Sequence, residues 1–243
     1  ASSGGIINVV LKKGVRIGRT GSLNMGMNQG VYGNQFIGIN LNDSGGKGAY
    51  YINTNYSRND MVEDLQSNRE LTAESNLSQN ARSRFPADFG YVGYGFNFDP
   101  NDRWGFNYDG RVNLGLRRSS AYNVNTINSL DNIILSENDN RTDNRTGFFS
   151  LQQDLGLLHK IDTSGSEWDT KFSYNYNSNN NEQDYSIQSL LPLSGTLAGN
   201  GDNGQNRHFF LLQSDLTYRF PKQGIKVETG FKSTWQNYES QAD

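Results

Sequence analysis

The chain has 243 residues, of which 34% are hydrophobic and 12% aromatic, with no cysteine and 22 basic against 25 acidic side chains. A soluble domain normally carries roughly 45–50% apolar residues, whereas a disordered chain is poor in aromatics and high in net charge, so neither class fits. A formal charge of −3 gives no bulk attraction to nucleic acid.

No apolar run approaches the roughly 18 residues that a membrane-spanning helix needs. The start, Ala-Ser-Ser-Gly-Gly, lacks the basic and apolar regions of a signal peptide, and the chain is expected to be a fragment of a longer exported protein. Residues 4–14, Gly-Gly-Ile-Ile-Asn-Val-Val-Leu-Lys-Lys-Gly, form a nearly continuous apolar run, which suits a strand buried on both faces.

From about Gly18 the pattern changes to apolar–polar alternation in segments of about ten residues, the length of a transmembrane β-strand. Such segments run at 18–29, 31–42, 49–59, 89–99, 104–116, 146–159, 168–177, 208–219 and 225–236. In 104–116, Trp104, Phe106, Tyr108, Val112, Leu114 and Leu116 share one face while Asn107, Asp109, Arg111, Asn113 and the adjoining Arg117 share the other. Side chains on a strand point alternately to opposite sides, so each segment has one apolar and one polar face.

The connections alternate in length. Short ones fall at 43–48, 99–103, 161–167 and 220–224, and long polar ones at 60–88, 118–145 and 178–207. Short turns at one end and long loops at the other are expected of an outer-membrane barrel. A soluble β-sandwich also alternates, but its inward face is built from Val, Ile and Leu. Here the apolar face is rich in Phe, Tyr and Trp, as in the aromatic girdles of a membrane barrel, and Asp109, Arg111, Asp154, Asp215, Arg219, Glu228 and Lys232 would line a wet lumen. The expected fold is all-β, an antiparallel transmembrane β-barrel of about nine strands in this chain, in contact with the outer-membrane lipid bilayer.

Residues 4–14 closely resemble the last plug strand of TonB-dependent outer-membrane receptors, where a small-Gly-Gly stretch leads into an apolar strand ending in basic residues. The turns Phe-Asp-Pro-Asn-Asp-Arg-Trp (98–104) and Tyr-Arg-Phe-Pro-Lys-Gln-Gly (218–224) look like periplasmic turns of the same family. The resemblance implies that residues 1–14 end the plug and 15–243 begin a barrel of about twenty-two strands, the rest of both lying elsewhere in the protein. It further implies energy-coupled uptake of a siderophore, cofactor, peptide or glycan, with the TonB complex as partner through a region not contained here. A passive porin-like or adhesin-like barrel is the alternative.

No enzymatic activity is expected, and neither a cofactor nor a metal. His159 and His208 are 49 residues apart, each read as lying near a strand end, and no Ser/His or Asp/His cluster can be assembled, as catalysis requires. Residues 137–145 carry oxygen ligands in an expected loop but lack the spacing and glycine of a calcium loop. Gly90, Gly93 and Gly95 lie in an aromatic strand with no helix pattern following, so they read as a bend or as room for plug side chains rather than a phosphate loop. Ligand contacts are expected in the long loops, at Asp60, Glu63, Arg69 and Tyr185, because polar loops on a rigid scaffold carry recognition.

Overall fold

The structure is a computed structural model that describes residues 18–242; the apolar run at 4–14, with its reading as a plug strand, lies outside the described residues. Nine strands follow one another: β1 (Gly18–Gln29), β2 (Gly33–Gly45), β3 (Gly48–Thr72), β4 (Ser75–Asn101), β5 (Trp104–Ser129), β6 (Ile134–Lys160), β7 (Glu167–Leu191), β8 (Gly195–Phe220) and β9 (Ile225–Ala242). They form one sheet in the order β1 to β9, each hydrogen-bonded antiparallel to the next. This meander is what successive hairpins of a barrel wall produce, and the sheet is not closed among the described residues.

The four short connections sit at one end of the sheet, and local chemistry makes them tight. Gly46 adopts φ +53° between β2 and β3, and Gly224 φ +66° before β9, a region that a side chain disfavours. Between β4 and β5, Asn101 accepts from the backbone N–H groups of Arg103 and Trp104 at 2.9 and 3.0 Å. Between β6 and β7, the Asp162 carboxylate accepts from the N–H groups of Ser164 and Ser166 at 2.7 and 3.0 Å.

At the other end the structure revises one expectation. The polar stretches 60–88, 118–145 and 178–207 are not irregular loops; β3 to β8 run on through them as paired strands of 25 to 27 residues, tipped by short turns at 73–74, 130–133 and 192–194. A tilted strand needs only about 9–11 residues to cross a bilayer, so more than half of each strand stands clear of lipid. Backbone pairing explains why polar sequences extend the ladder: the neighbouring strands satisfy the N–H and C=O groups, and no apolar core is required.

The register fixes two faces. One row across the sheet reads Leu41, Ile52, Tyr94, Gly110, Gln153, Tyr174, Phe210, Trp235, and the adjacent same-face rows hold Ile39, Phe96, Val112, Leu151, Leu155 and Phe172. Among the described residues Leu77 is the one buried hydrophobic side chain, while Leu23, Ile37, Leu114, Phe172, Phe231 and Trp235 stay exposed. A sandwich would bury such a face under a second sheet. A single layer that exposes it suits lipid instead.

Candidate ligand groove and lumenal wall

The face opposite the apolar band carries the charges expected of a wet lumen. The register sets Asp109 opposite Asp154 and Asp169 opposite Asp215; like charges facing each other are unfavourable and tolerable where water screens them. Their neighbours share the load: Tyr51 donates to Asp109 at 2.5 Å, Lys171 pairs with Asp169 at 3.2 Å, and Gln152 and Gln213 donate to Asp154 and Asp215, each at 2.6 Å. Glycines let these side chains lie flat on the wall. A Cβ at Gly95 would meet the Tyr51 ring at 2.7 Å, and one at Gly115 would run into the Phe148 ring. The room at Gly93 and Gly95 is thus taken by Tyr91 and Tyr51, rather than left open.

Above this wall a proline opens a groove. Pro86 has no N–H to donate, and the β4–β5 ladder runs from Ala87–Arg117 to Arg84–Ser120 with Phe85 and Pro86 unpaired to β5. At this break lies a groove of about 460 Å³, lined by Asn59, Met61, Phe85, Ala87, Phe89, Arg117, Arg118, Ser119, Asn144 and Thr146. The Arg117 guanidinium stands 5.1 Å from the centre of the Phe89 ring, and the Phe89 and Phe148 rings are 5.9 Å apart. The groove therefore offers aromatic surface, amides and two arginines.

Beyond the Arg117 row, charge separates by face on β4 to β8. On the lumenal face β4 presents Gln79, Ala81 and Ser83; β5 Ser119, Ala121, Asn123 and Asn125; β6 Asn138, Asn140, Thr142 and Asn144; β7 Asn181, Gln183, Tyr185 and Ile187; β8 Leu197, Gly199, Gly201 and Asn203. None is ionisable. Arg82, Arg84, Arg118, Glu137, Asp139, Arg141, Asp143, Arg145, Glu182, Asp184 and Asp202 all take the outward parity of the same strands. There Arg141 pairs with Asp143 at 2.8 Å, and Tyr122 donates to Asp139 at 2.8 Å. Amides hydrogen-bond one another across the lumenal face, Gln79 to Asn125 at 2.8 Å and Asn125 to Asn138 at 2.9 Å. The facing oxygens of Asn123 and Asn140 have no donor.

The four residues expected at the ligand site are placed on strands and are not brought together. Asp60 lies in β3 on the outward face. Its carboxylate, 3% exposed, accepts from Arg84 through two hydrogen bonds of 2.9 and 2.6 Å, which hold it below the ordinary carboxylate range despite its burial. Glu63 and Arg69 sit on the lumenal face of β3, opposite Ser83 and Leu77, and Tyr185 on the lumenal face of β7, beside Thr142 and Gly199. Four strand spacings of ~4.8 Å separate β3 from β7, about 19 Å. The groove was not anticipated, because Phe85 fell in the stretch 60–88 read as a loop and nothing aligned it with Phe89 and Arg117 at the ends of their strands; Pro86 was the available signal.

Both histidines take the parity of the lipid-facing band. His159 stacks on Trp104 with ring centres 4.0 Å apart. His208 lies within β8 rather than near its end, its Nδ1 3.0 Å from the Tyr174 hydroxyl. Eight register steps separate the His159–Trp168 row from the Tyr176–His208 row, ~26 Å along the strand at ~3.3 Å per residue. Residues 137–145 run within β6 instead of forming a loop. Among the described residues no three His, Cys, Asp or Glu side chains converge as a metal site would require.

Residues 159–243 match the Outer membrane protein beta-barrel family. No curated protein matches the chain. Among solved structures, the siderophore receptor PiuA from Acinetobacter baumannii is similar at 9% identity and a TM-score of 0.17, covering 92% of this chain and 46% of that one. The chain thus spans less than half of that receptor's length, at a similarity too low to transfer fold or ligand. The nine-stranded meander, its exposed apolar band and the family match place the chain in the outer membrane, as consecutive strands of an antiparallel β-barrel.

Proposed function

We propose that this chain forms part of a TonB-dependent receptor that takes up a ligand across the outer membrane without changing it covalently. The observation that carries the reading is the polar lumenal wall, continuous from the Asp109, Arg111 and Asp154 rows up to the amide-covered extension, which gives a solute a wetted route along one side of the sheet. The groove at Pro86 lies along that route, between the charged rows and the amide-covered extension. The resemblance of residues 4–14 to a plug strand supports energy coupling over passive diffusion, and siderophore, cofactor, peptide and glycan remain the candidate cargo classes.

The test uses the full-length receptor, purified from outer membranes. It is expected to be captured by the periplasmic domain of TonB and to give no stable conductance in planar bilayers. Large steady conductance without TonB capture would overturn the reading in favour of an open pore.

A further inference from the structure

The division of charge between the two faces beyond the lipid band identifies what the lumenal face recognises. A sheet in water on both sides has no reason to sort its charges, and ionisable residues should appear on either face. Here β4 to β8 place eleven acidic and basic residues outward above the Arg117 row and none inward, and the inward charges Glu63 and Arg69 are confined to β3. The inward positions are amides, hydroxyls and small residues, with the half-exposed ring of Tyr185 lying over Gly199. Such a face neither attracts an ion nor compensates one that must shed its water, since burying a charge without a partner is costly. It can hydrogen-bond a neutral solute at many points, because each amide offers two donors and an acceptor.

From this charge complementarity, and resting on the uptake reading above, we propose that the lumenal wall around Asn123, Asn140, Thr142 and Tyr185 binds a neutral oligosaccharide. Hydroxyl groups both donate and accept, so they match the amides of this wall in either orientation. The flat CH face of a sugar ring packs against Tyr185. A peptide is the poorer match, since its termini and charged side chains find no counter-charge on β4 to β8. Arg117 lies below the surface, at the groove, and is not needed for the recognition.

The full-length receptor would be assayed against a panel of neutral glucans, mannans, fructans and xylans, with sulfated and uronate-containing glycans and short peptides alongside, and TonB capture measured on the same preparation. At least one neutral glycan is expected to bind, with charged glycans of similar length weaker by at least about tenfold. Asn140→Asp, nearly isosteric, should weaken that glycan by roughly tenfold, and Tyr185→Ala by a similar factor, with heat-modifiable migration unchanged. Binding confined to charged glycans or peptides, no binding across the panel, or full affinity in N140D would overturn the proposal. If TonB capture persists in such a case, the receptor reading stands and only the ligand class falls; if capture also fails, both fall.

Discussion

Asp60 and Arg84 meet across β3 and β4 as a forked ion pair, with the Arg84 guanidinium also lying 3.9 Å from the centre of the Tyr32 ring. Asn34 completes the link by accepting from the Asp60 N–H at 2.5 Å. One carboxylate thus ties the extended β3–β4 hairpin to the turn between β1 and β2. The arrangement is asymmetric, because Asp60 is nearly inaccessible whereas 43% of the Arg84 side chain meets solvent.

Removing Arg84 is therefore expected to do more harm than removing Asp60. R84A leaves a buried carboxylate unpaired, while D60N leaves an arginine that water can still solvate. Limited proteolysis within residues 57–89 should accelerate strongly in R84A and mildly in D60N; equal effects would show that the pair does not hold the hairpin.

The same pair sets a pH dependence. Arg84 lowers the Asp60 carboxyl below its ordinary value, so the folded state binds the proton more weakly than the unfolded one. The stabilisation is fully present above the unfolded value, about 3.9, and is lost as pH falls through the lower folded value. Asp162 follows the same rule at the β6–β7 turn, held low chiefly by the Ser166 hydroxyl and then by backbone N–H groups. Amide exchange at Ser164 and Ser166 should rise below about pH 4 in the native protein, and should be fast and pH-independent beyond its intrinsic rate in D162A.

Gln153 supplies a third test. It lies in the lipid-facing row with both Tyr94 and Tyr108 hydroxyls bonded to its amide, which keeps a polar group satisfied where lipid offers no partner. Tyr108→Phe should cost about 1–3 kcal/mol, and Gln153→Leu in that background should recover most of it. Thermal unfolding in detergent, followed by heat-modifiable migration, measures both; additive losses would mean the contact carries no coupling energy.

Crowding on the lumenal wall gives a fourth. Gly115→Val drives a side chain into the space of the Phe148 ring, and overpacking typically costs about 1–3 kcal/mol. Adding Phe148→Ala should relieve much of that. A G115V protein as stable as the parent would mean that the ring moves aside freely.

The alternation of Trp104 to Leu116 and of Trp168 to Tyr176, together with the Gly and Pro turns, was sufficient to predict all nine strands, their antiparallel order and the apolar band. Each of these follows from the period-two geometry of a strand and from short-range turn chemistry, both of which are local. The upper halves of β3 to β8 were not legible, because Asn-, Ser- and Asp-rich sequence carries no apolar period; what makes it a strand is the backbone of its neighbour. Tertiary structure alone decided that Asp60 turns outward to Arg84 while Tyr185 turns inward to the amides, since their relative facing depends on a register carried through the three strands between β3 and β7. The groove beside Arg117 arises the same way, from a proline whose missing N–H matters only once β5 lies next to it.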